Sequence, residues 1–196
     1  MHGKKPIDQL TTMLEQPLDL LHHLPFRIAV VSNLLMLNRD GAIKNTMGLG
    51  ARELRVIVNV GSYMPITSAD VAYQSKMDTY TVSRAVKTLT EKGLVVSQTL
   101  GDNKRNKYLV LTEEGQDIYL ELIARMRSRE LELTEELSLA DQRELNKILK
   151  KLEVKAEEML AKHALDKQEC EGPLSAEQKE LIRWHKKTQK ADYYDS

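Results

Sequence analysis

The chain has 196 residues, 41% of them hydrophobic and 30% charged, with 29 basic side chains balancing 29 acidic ones. That mixture excludes an unstructured polymer, the balance argues by itself for no particular partner, and the single cysteine, Cys170, excludes an internal disulfide framework and fits a reducing cytosol. The longest apolar run, 28–37, is about half the ~20 residues a membrane span needs, and no signal-like segment follows Lys4 and Lys5, so a cytoplasmic protein with no membrane partner is expected.

Residues 1–16 are polar and weakly patterned, a short N-terminal arm. In 17–50, Leu24-Pro25 opens a helix made strongly apolar by Phe26, Ile28, Val30, Val31, Leu34, Leu35 and Leu37, and the glycine-bearing stretch 40–50 is a loop. Residues 51–115 carry a second helix at 51–63 that Pro65 stops. A short third helix runs from Thr67-Ser68-Ala69-Asp70, which has capping-box spacing, through Gln74. A fourth spans 78–92 between Asp78 as N-cap and Gly93 as C′ residue. The period then changes: 94–100 and 108–112 are rich in Val, Leu, Tyr and Thr around Gly101-Asp102-Asn103, a β-hairpin signal with Lys104, Arg105 and Lys107 at or just after its tip. Helix resumes near Glu113. In 116–164 two long helices follow, the second capped by Ser138-Leu139-Ala140-Asp141, and in 165–196 Pro173 precedes a small extra helix opened by Ser175-x-x-Gln178.

The fourth helix has two unlike faces. Val82, Ala85, Val86 and Leu89 fall on one apolar stripe, while Tyr80, Arg84 and Lys87 point the opposite way, with Glu91, on the last turn, as the one carboxylate of that polar face. The overall charge balance conceals a matching split. Residues 61–112 hold seven bases against four acids, whereas 128–160 hold six bases against nine acids, so the middle of the chain is the part suited to a polyanion.

Helix, helix, short helix, polar-faced helix, basic hairpin and two long helices make up a mainly α fold with a small β-hairpin. This is the order of a winged helix-turn-helix flanked by long N- and C-terminal dimerisation helices. In that arrangement the fourth helix enters a major groove, the hairpin tip reaches an adjacent minor groove, and apolar arms from two protomers bury each other about a two-fold axis. The partners implied are double-stranded DNA and a second copy of the chain.

Two stretches, "TVSRAVKTLTEKGLV" (81–95) and "RNKYLVLTEEG" (105–115), resemble the MarR family of bacterial transcription regulators, and the likeness extends from about Leu24 to Leu160. The resemblance implies a homodimer and a DNA-reading helix carrying Thr79, Tyr80, Thr81, Ser83 and Arg84. It also implies a wing arginine at Arg105 and, often in the family, a small aromatic or phenolic effector. With Ser68, Lys76, Lys87, Lys104 and Lys107 these form the candidate DNA-binding set. The effector is expected between the first, second and fifth helices, near Phe26, Arg27 and Arg52. The chain departs from the family pattern at Asn103, where the wing motif has aspartate, and at Val96-Ser97-Gln98, where arginine commonly follows the "GLV" stretch. Residues 161–196 lie outside the resemblance.

Two rival readings are weaker. Enzyme chemistry lacks a glycine-rich phosphate loop, a nucleophile elbow or a clustered His/Asp/Ser set, so no catalytic residue and no cofactor are assigned. His22-His23 lacks a partner pair at i+4, so no metal is expected. A winged helix serving only protein interaction remains the alternative, and DNA binding in a gel shift separates it from the DNA-binding reading.

Overall fold

The structure, a computed structural model, describes residues 10–36, 48–99 and 106–192. The expected hairpin tip with Lys104 and Arg105, Asn103 beside them, and most of the loop at 40–50 lie outside these residues. The chain divides into two compact units, Met1–Ala51 and Arg52–Ser196. In the first, α1 (Leu24–Met36) begins with Pro25 in its first turn, where a missing N–H costs nothing. Leu24, Phe26, Ile28, Val31 and Leu34 remain exposed along it.

The second unit holds the other six helices among the described residues and one small sheet. α2 (Ala51–Tyr63) buries Leu54, Val56, Ile57 and Val60 on one face. β1 (Ile66–Thr67) leads directly into α3 (Ser68–Ser75), whose first turn is capped by the Thr67 hydroxyl accepting from the Asp70 amide. α4 (Thr79–Glu91) follows after a three-residue turn. β2 (Val95–Thr99) and β3 (Lys107–Leu111) pair antiparallel from Val95 opposite Leu111 to Thr99 opposite Lys107. β1 adds on the far side of β3 with Ile66 opposite Leu109, giving the order β1-β3-β2. The core beneath this sheet is made of Val56, Ile57, Val60, Val71, Val82, Leu89, Val95 and Leu109, all at or below 2% exposure. Burial of side chains of this size is worth about 1.5–3 kcal/mol each, which is the main force holding α2, α3, α4 and the wing together.

α5 (Glu113–Leu133) is clamped to the wing at its first turn. The Thr112 hydroxyl donates to the Gly93 carbonyl (2.7 Å) and accepts from the Gly115 amide (3.1 Å), while the Thr112 amide donates to the Leu94 carbonyl (3.1 Å). This is the physical content of the Leu111-Thr112-Glu113-Glu114-Gly115 end of the second family-like stretch, 105–115. α6 (Leu139–Glu171) starts from a full capping box on Ser138 and Asp141 and runs unbroken past residue 164, the boundary expected for the C-terminal arm. α7 (Ala176–Asp192) is a 17-residue helix, longer than the small extra helix expected, and its opening is fixed by Ser175 and Gln178, each accepting from the other's amide. α6 and α7 pack along each other across the short link 172–175.

Gly115 leaves no room for a larger residue, since a Cβ there would lie 2.1 Å from the Leu94 carbonyl oxygen, which is itself held by Thr112. Gly115→Ala is therefore expected to destabilise the fold by about 1–3 kcal/mol, the usual range for overpacking a closed site. Thermal denaturation checks this, and an unchanged Tm shows that the clamp is looser than described.

Candidate nucleic-acid interface

α4 owes its orientation to its two ends and one buried stripe. The Asp78 carboxylate accepts from the Thr81 amide at 2.7 Å, and the Thr81 side-chain hydroxyl first, with this amide next, holds its carboxyl below the usual aspartate range. Stability from that cap is present above the unfolded value of 3.8 and is lost as pH falls below it through the lower folded value. At the other end Gly93 takes a φ of 71°, a left-handed conformation in which a side chain would be strained. Val82, Ala85 and Leu89 are at or below 1% exposure, and Val86 is half-buried.

That seating turns Tyr80, Ser83, Arg84 and Lys87 to solvent. Tyr80 is 69% exposed and stands with its ring centroid 5.8 Å from the Arg84 guanidinium carbon, a cation–π distance that holds the two long side chains over one patch of the helix. Lys87 lies 3.7 Å from Glu91 with both groups well exposed, an interaction worth little in water and easily exchanged for another anion. Thr81 is half-buried, its backbone amide occupied by the cap. Ser68 starts α3, and Lys107 starts β3 at the outer end of the paired strands, opposite Thr99, exposed. The two flank one open groove, lined by Thr67, Ser68, Ala69, Asp70, Asn106, Lys107 and Tyr108. The structure thus brings Tyr80, Ser83, Arg84 and Lys87 onto one exposed helix face and sets Ser68 beside Lys107. Lys104 and Arg105 are not described. Val96, Ser97 and Gln98, at the family departure, lie exposed on β2.

Two of the expected DNA contacts are engaged elsewhere. Lys76 caps α3 in a left-handed conformation, φ 50°, and its ammonium meets Glu157 Oε2 at 2.5 Å and Glu153 Oε1 at 3.8 Å. The same ammonium sits 4.0 Å over the Tyr73 ring and 5.7 Å from that of Trp184. Thr79, at the first residue of α4, donates from its amide (3.2 Å) and from its hydroxyl to Glu180 Oε1. Glu157 and Glu180 are each 6% exposed; a buried carboxylate is costly unless paired, and Glu180 meets Thr79 and, at 3.9 Å, Arg183 through Oε1, its Oε2 having no hydrogen-bond partner among the described residues. Thr188 completes the cluster, donating to Glu157 Oε1 at 2.5 Å and sharing a hydrogen bond with the Tyr73 hydroxyl at 2.8 Å. Lys187 pairs with Asp70; burial would raise the Asp70 pKa, but the Lys187 ammonium and the Thr67 hydroxyl hold it below the ordinary value.

Sequence reading did not anticipate this docking of α7 on α3 and α4. The Ser175-x-x-Gln178 opening signalled a helix, and nothing in a linear sequence signalled that Glu180 would meet Thr79. Phe26 and Arg27 are exposed on α1, and Arg52 is exposed in the first turn of α2. His22 pairs with Asp19 at 2.7 Å, and no helix among the described residues is long and apolar enough to cross a membrane.

Residues 49–115 match the family model of a winged helix DNA-binding domain. Curated protein sequences yield no match. Among solved structures, a MarR/EmrR family transcriptional regulator from Acinetobacter sp. ADP1 is 30% identical, with 72% of this chain and 99% of that one aligned at a TM-score of 0.65. A MarR family regulator from Listeria monocytogenes complexed with 26mer DNA is 25% identical over 65% of this chain and 84% of its own, at a TM-score of 0.59. CouR from Rhodococcus jostii RHA1, bound to p-coumaroyl-CoA, shares the fold at 23% identity and a TM-score of 0.62 over 68% of this chain and 93% of its own. The α2-to-β3 order, the exposed face of α4 and the near-complete alignment with the Acinetobacter regulator agree: the chain belongs to the MarR family of transcriptional regulators.

Proposed function

We propose that the protein is a cytoplasmic, sequence-specific repressor that binds double-stranded DNA as a homodimer on a pseudo-palindromic operator. The observation that carries this reading is the opposition on α4 of a fully buried stripe and an exposed Tyr80–Ser83–Arg84–Lys87 face. The Listeria relative, complexed with DNA, supports the same use of the fold. Arg84 lies mid-face, where a guanidinium can bond guanine O6 and N7 together, and Lys87, one turn on, meets phosphate. Arg105, at the wing, reads minor-groove width. Ser68 and Lys107 flank the groove along which a phosphate strand passes.

Dimerisation is supported by apolar side chains left at the surface of one protomer: Phe26 and Leu34 on α1, Met126 on α5, and Leu145, Ile148 and Leu149 on α6. Solvated Leu and Ile at helical spacing are unfavourable, and a second copy can cover them. A small aromatic or phenolic effector near Phe26, Arg27 and Arg52 would act by preferring one spacing of the two reading helices. Such coupling weakens DNA binding by about 5- to 150-fold. The p-coumaroyl-CoA bound by the Rhodococcus relative is consistent with that ligand class. No enzymatic step is assigned to any residue.

Fluorescence anisotropy on cognate, point-variant and scrambled duplexes tests the DNA contacts. Arg84→Ala is expected to lose about 1–3 kcal/mol on the cognate site and to relax preference at one base pair per half-site. Lys87→Ala should weaken all sequences alike and make the log–log salt slope shallower by about one unit per half-site. Equal weakening of cognate and scrambled DNA by Arg84→Ala would reduce α4 to an anchor, and a wild type that binds no duplex would favour a protein-interaction module. Sedimentation should find a dimer at micromolar concentration, its interface above ~2,000 Å² as in intertwined homodimers, and a stable folded monomer there refutes that part.

A further inference from the structure

α7 lies on the helix-turn-helix itself and carries a regular line of cations on its outer side. Lys179, Arg183, Lys186 and Lys190 follow at spacings of four, three and four residues, which places all four on one face. All four are exposed. From first to last they span about 16 Å of helix, the axial length of about five phosphates on one DNA strand.

The docking contacts set the direction of that line. Glu180 on Thr79 and Lys187 on Asp70 lie one heptad apart and mark the edge of α7 that touches α4 and α3. Thr188, reaching Glu157, marks the edge that touches α6. By the 100° step of a helix, the cation line leaves α7 on the other flank of the Glu180–Lys187 edge, away from α6 and beside the helix-turn-helix. On α4, Thr79 lies roughly 100° round from Tyr80, so α7 stands next to the reading face and leaves Tyr80, Arg84 and Lys87 open. Of the two carboxylates nearest this surface, Asp70 is paired with Lys187, and Glu180 Oε1 accepts from the first turn of α4, whose helix dipole favours a negative group, with the Arg183 guanidinium of the cation line 3.9 Å away.

We propose that α7 is an additional DNA-binding element. Docked beside the reading helix, it presents Lys179, Arg183, Lys186 and Lys190 to the phosphates of duplex flanking the base-read segment. This rests on the DNA-binding reading above and adds a contact outside residues 49–115. Phosphate contacts carry no base information, so α7 extends affinity and footprint and leaves sequence preference unchanged.

The test uses the full chain and a fluorescein-labelled 40-bp duplex of random sequence, titrated at several NaCl concentrations between ~50 and ~200 mM, the range over which counterion release dominates the affinity. The quadruple variant Lys179→Gln, Arg183→Gln, Lys186→Gln, Lys190→Gln alters only exposed side chains, one of which, Arg183, lies 3.9 Å from Glu180 Oε1, so its Tm and circular dichroism are measured alongside to show that it is folded with α7 in place. It is expected to bind about tenfold or more weakly near 0.1 M salt, with a log–log slope shallower by two to four units per protomer, roughly 0.9 for each phosphate no longer neutralised. Lys87→Ala, measured in parallel, should lose about one unit whether or not α7 touches DNA. If the wild type binds and Lys87→Ala shows its loss while the quadruple variant keeps the wild-type slope and affinity, α7 does not touch DNA and the proposal is overturned. Tighter binding by the quadruple variant would show that α7 masks the surface and would overturn it equally. A wild type that binds no duplex at any salt overturns both this proposal and the DNA-binding reading.

Discussion

Val82, Ala85 and Leu89 are withdrawn from water almost completely, and α4 cannot bury those three without turning Tyr80, Arg84 and Lys87 outward. Other elements of the second unit bury apolar side chains in the same core. α2 offers Val56, Ile57 and Val60, and α3 offers Val71 and Ala72. The sheet closes the pocket with Val95 and Leu109. Asp78 and Gly93 then set the first and last turns, so the rotation of α4 about its axis and its position along it are both determined. A rotation of one residue would drive Ser83 or Lys87 into the core, and the buried area forbids it more strongly than any surface contact could.

A second constraint is polar and lies at the α3–α4 turn. Lys76, Glu157, Thr188 and Tyr73 form a continuous set of short contacts, with Glu180 and Thr79 adjoining it. Two nearly buried carboxylates in one place are costly unless each is satisfied, and removing one partner of such a pair typically costs about 3–5 kcal/mol. Apolar residues of similar shape could hold the same helices with equal or greater stability. What the charged set adds is registry: Glu157 finds an ammonium, and Glu180 finds an amide and a hydroxyl, at one placement of α6 and α7 against the turn. Lys76 shows the trade. Its backbone is left-handed, a conformation that glycine adopts more readily, and lysine's use there lies in the ammonium that reaches Glu157 and Tyr73.

Local chemistry made much of this legible. The caps at Thr67, Asp78, Thr112 and Ser138 depend on neighbours within three residues, and the stripes of α2 and α4 on a 3.6-residue period, so the sequence displays both. β1 was not legible, because Ile66 and Thr67 are two residues with no period of their own and become a strand only by meeting Leu109 and Tyr108 from the wing. Lys76 illustrates the limit for the site. Its charge and its place before α4 suggest a phosphate contact, and only the fold reveals a carboxylate 81 positions later that takes the ammonium inward. The acidic balance of 128–160, read as a flank turned away from DNA, includes Glu153 and Glu157, two of the groups that meet this lysine. Net charge along a segment cannot distinguish a solvated carboxylate from one that is paired.

The registry set also ties the long arm to the reading helix. α6 reaches the α3–α4 turn directly through Glu157 on Lys76, and again through α7, by way of Thr188 on Tyr73 and Glu180 on Thr79. Both routes end within seven residues of Tyr80 and are built from hydrogen bonds between part-buried groups, which break or hold and do not stretch. A displacement of α6 relative to α2 must therefore either carry the turn and the first residues of α4 with it or leave Glu157 and Glu180 unpaired. The second course exposes the full cost of a buried carboxylate, so the first is the softer motion. An arm that moves as a unit with the start of α4 would be the route by which the proposed effector acts on DNA binding.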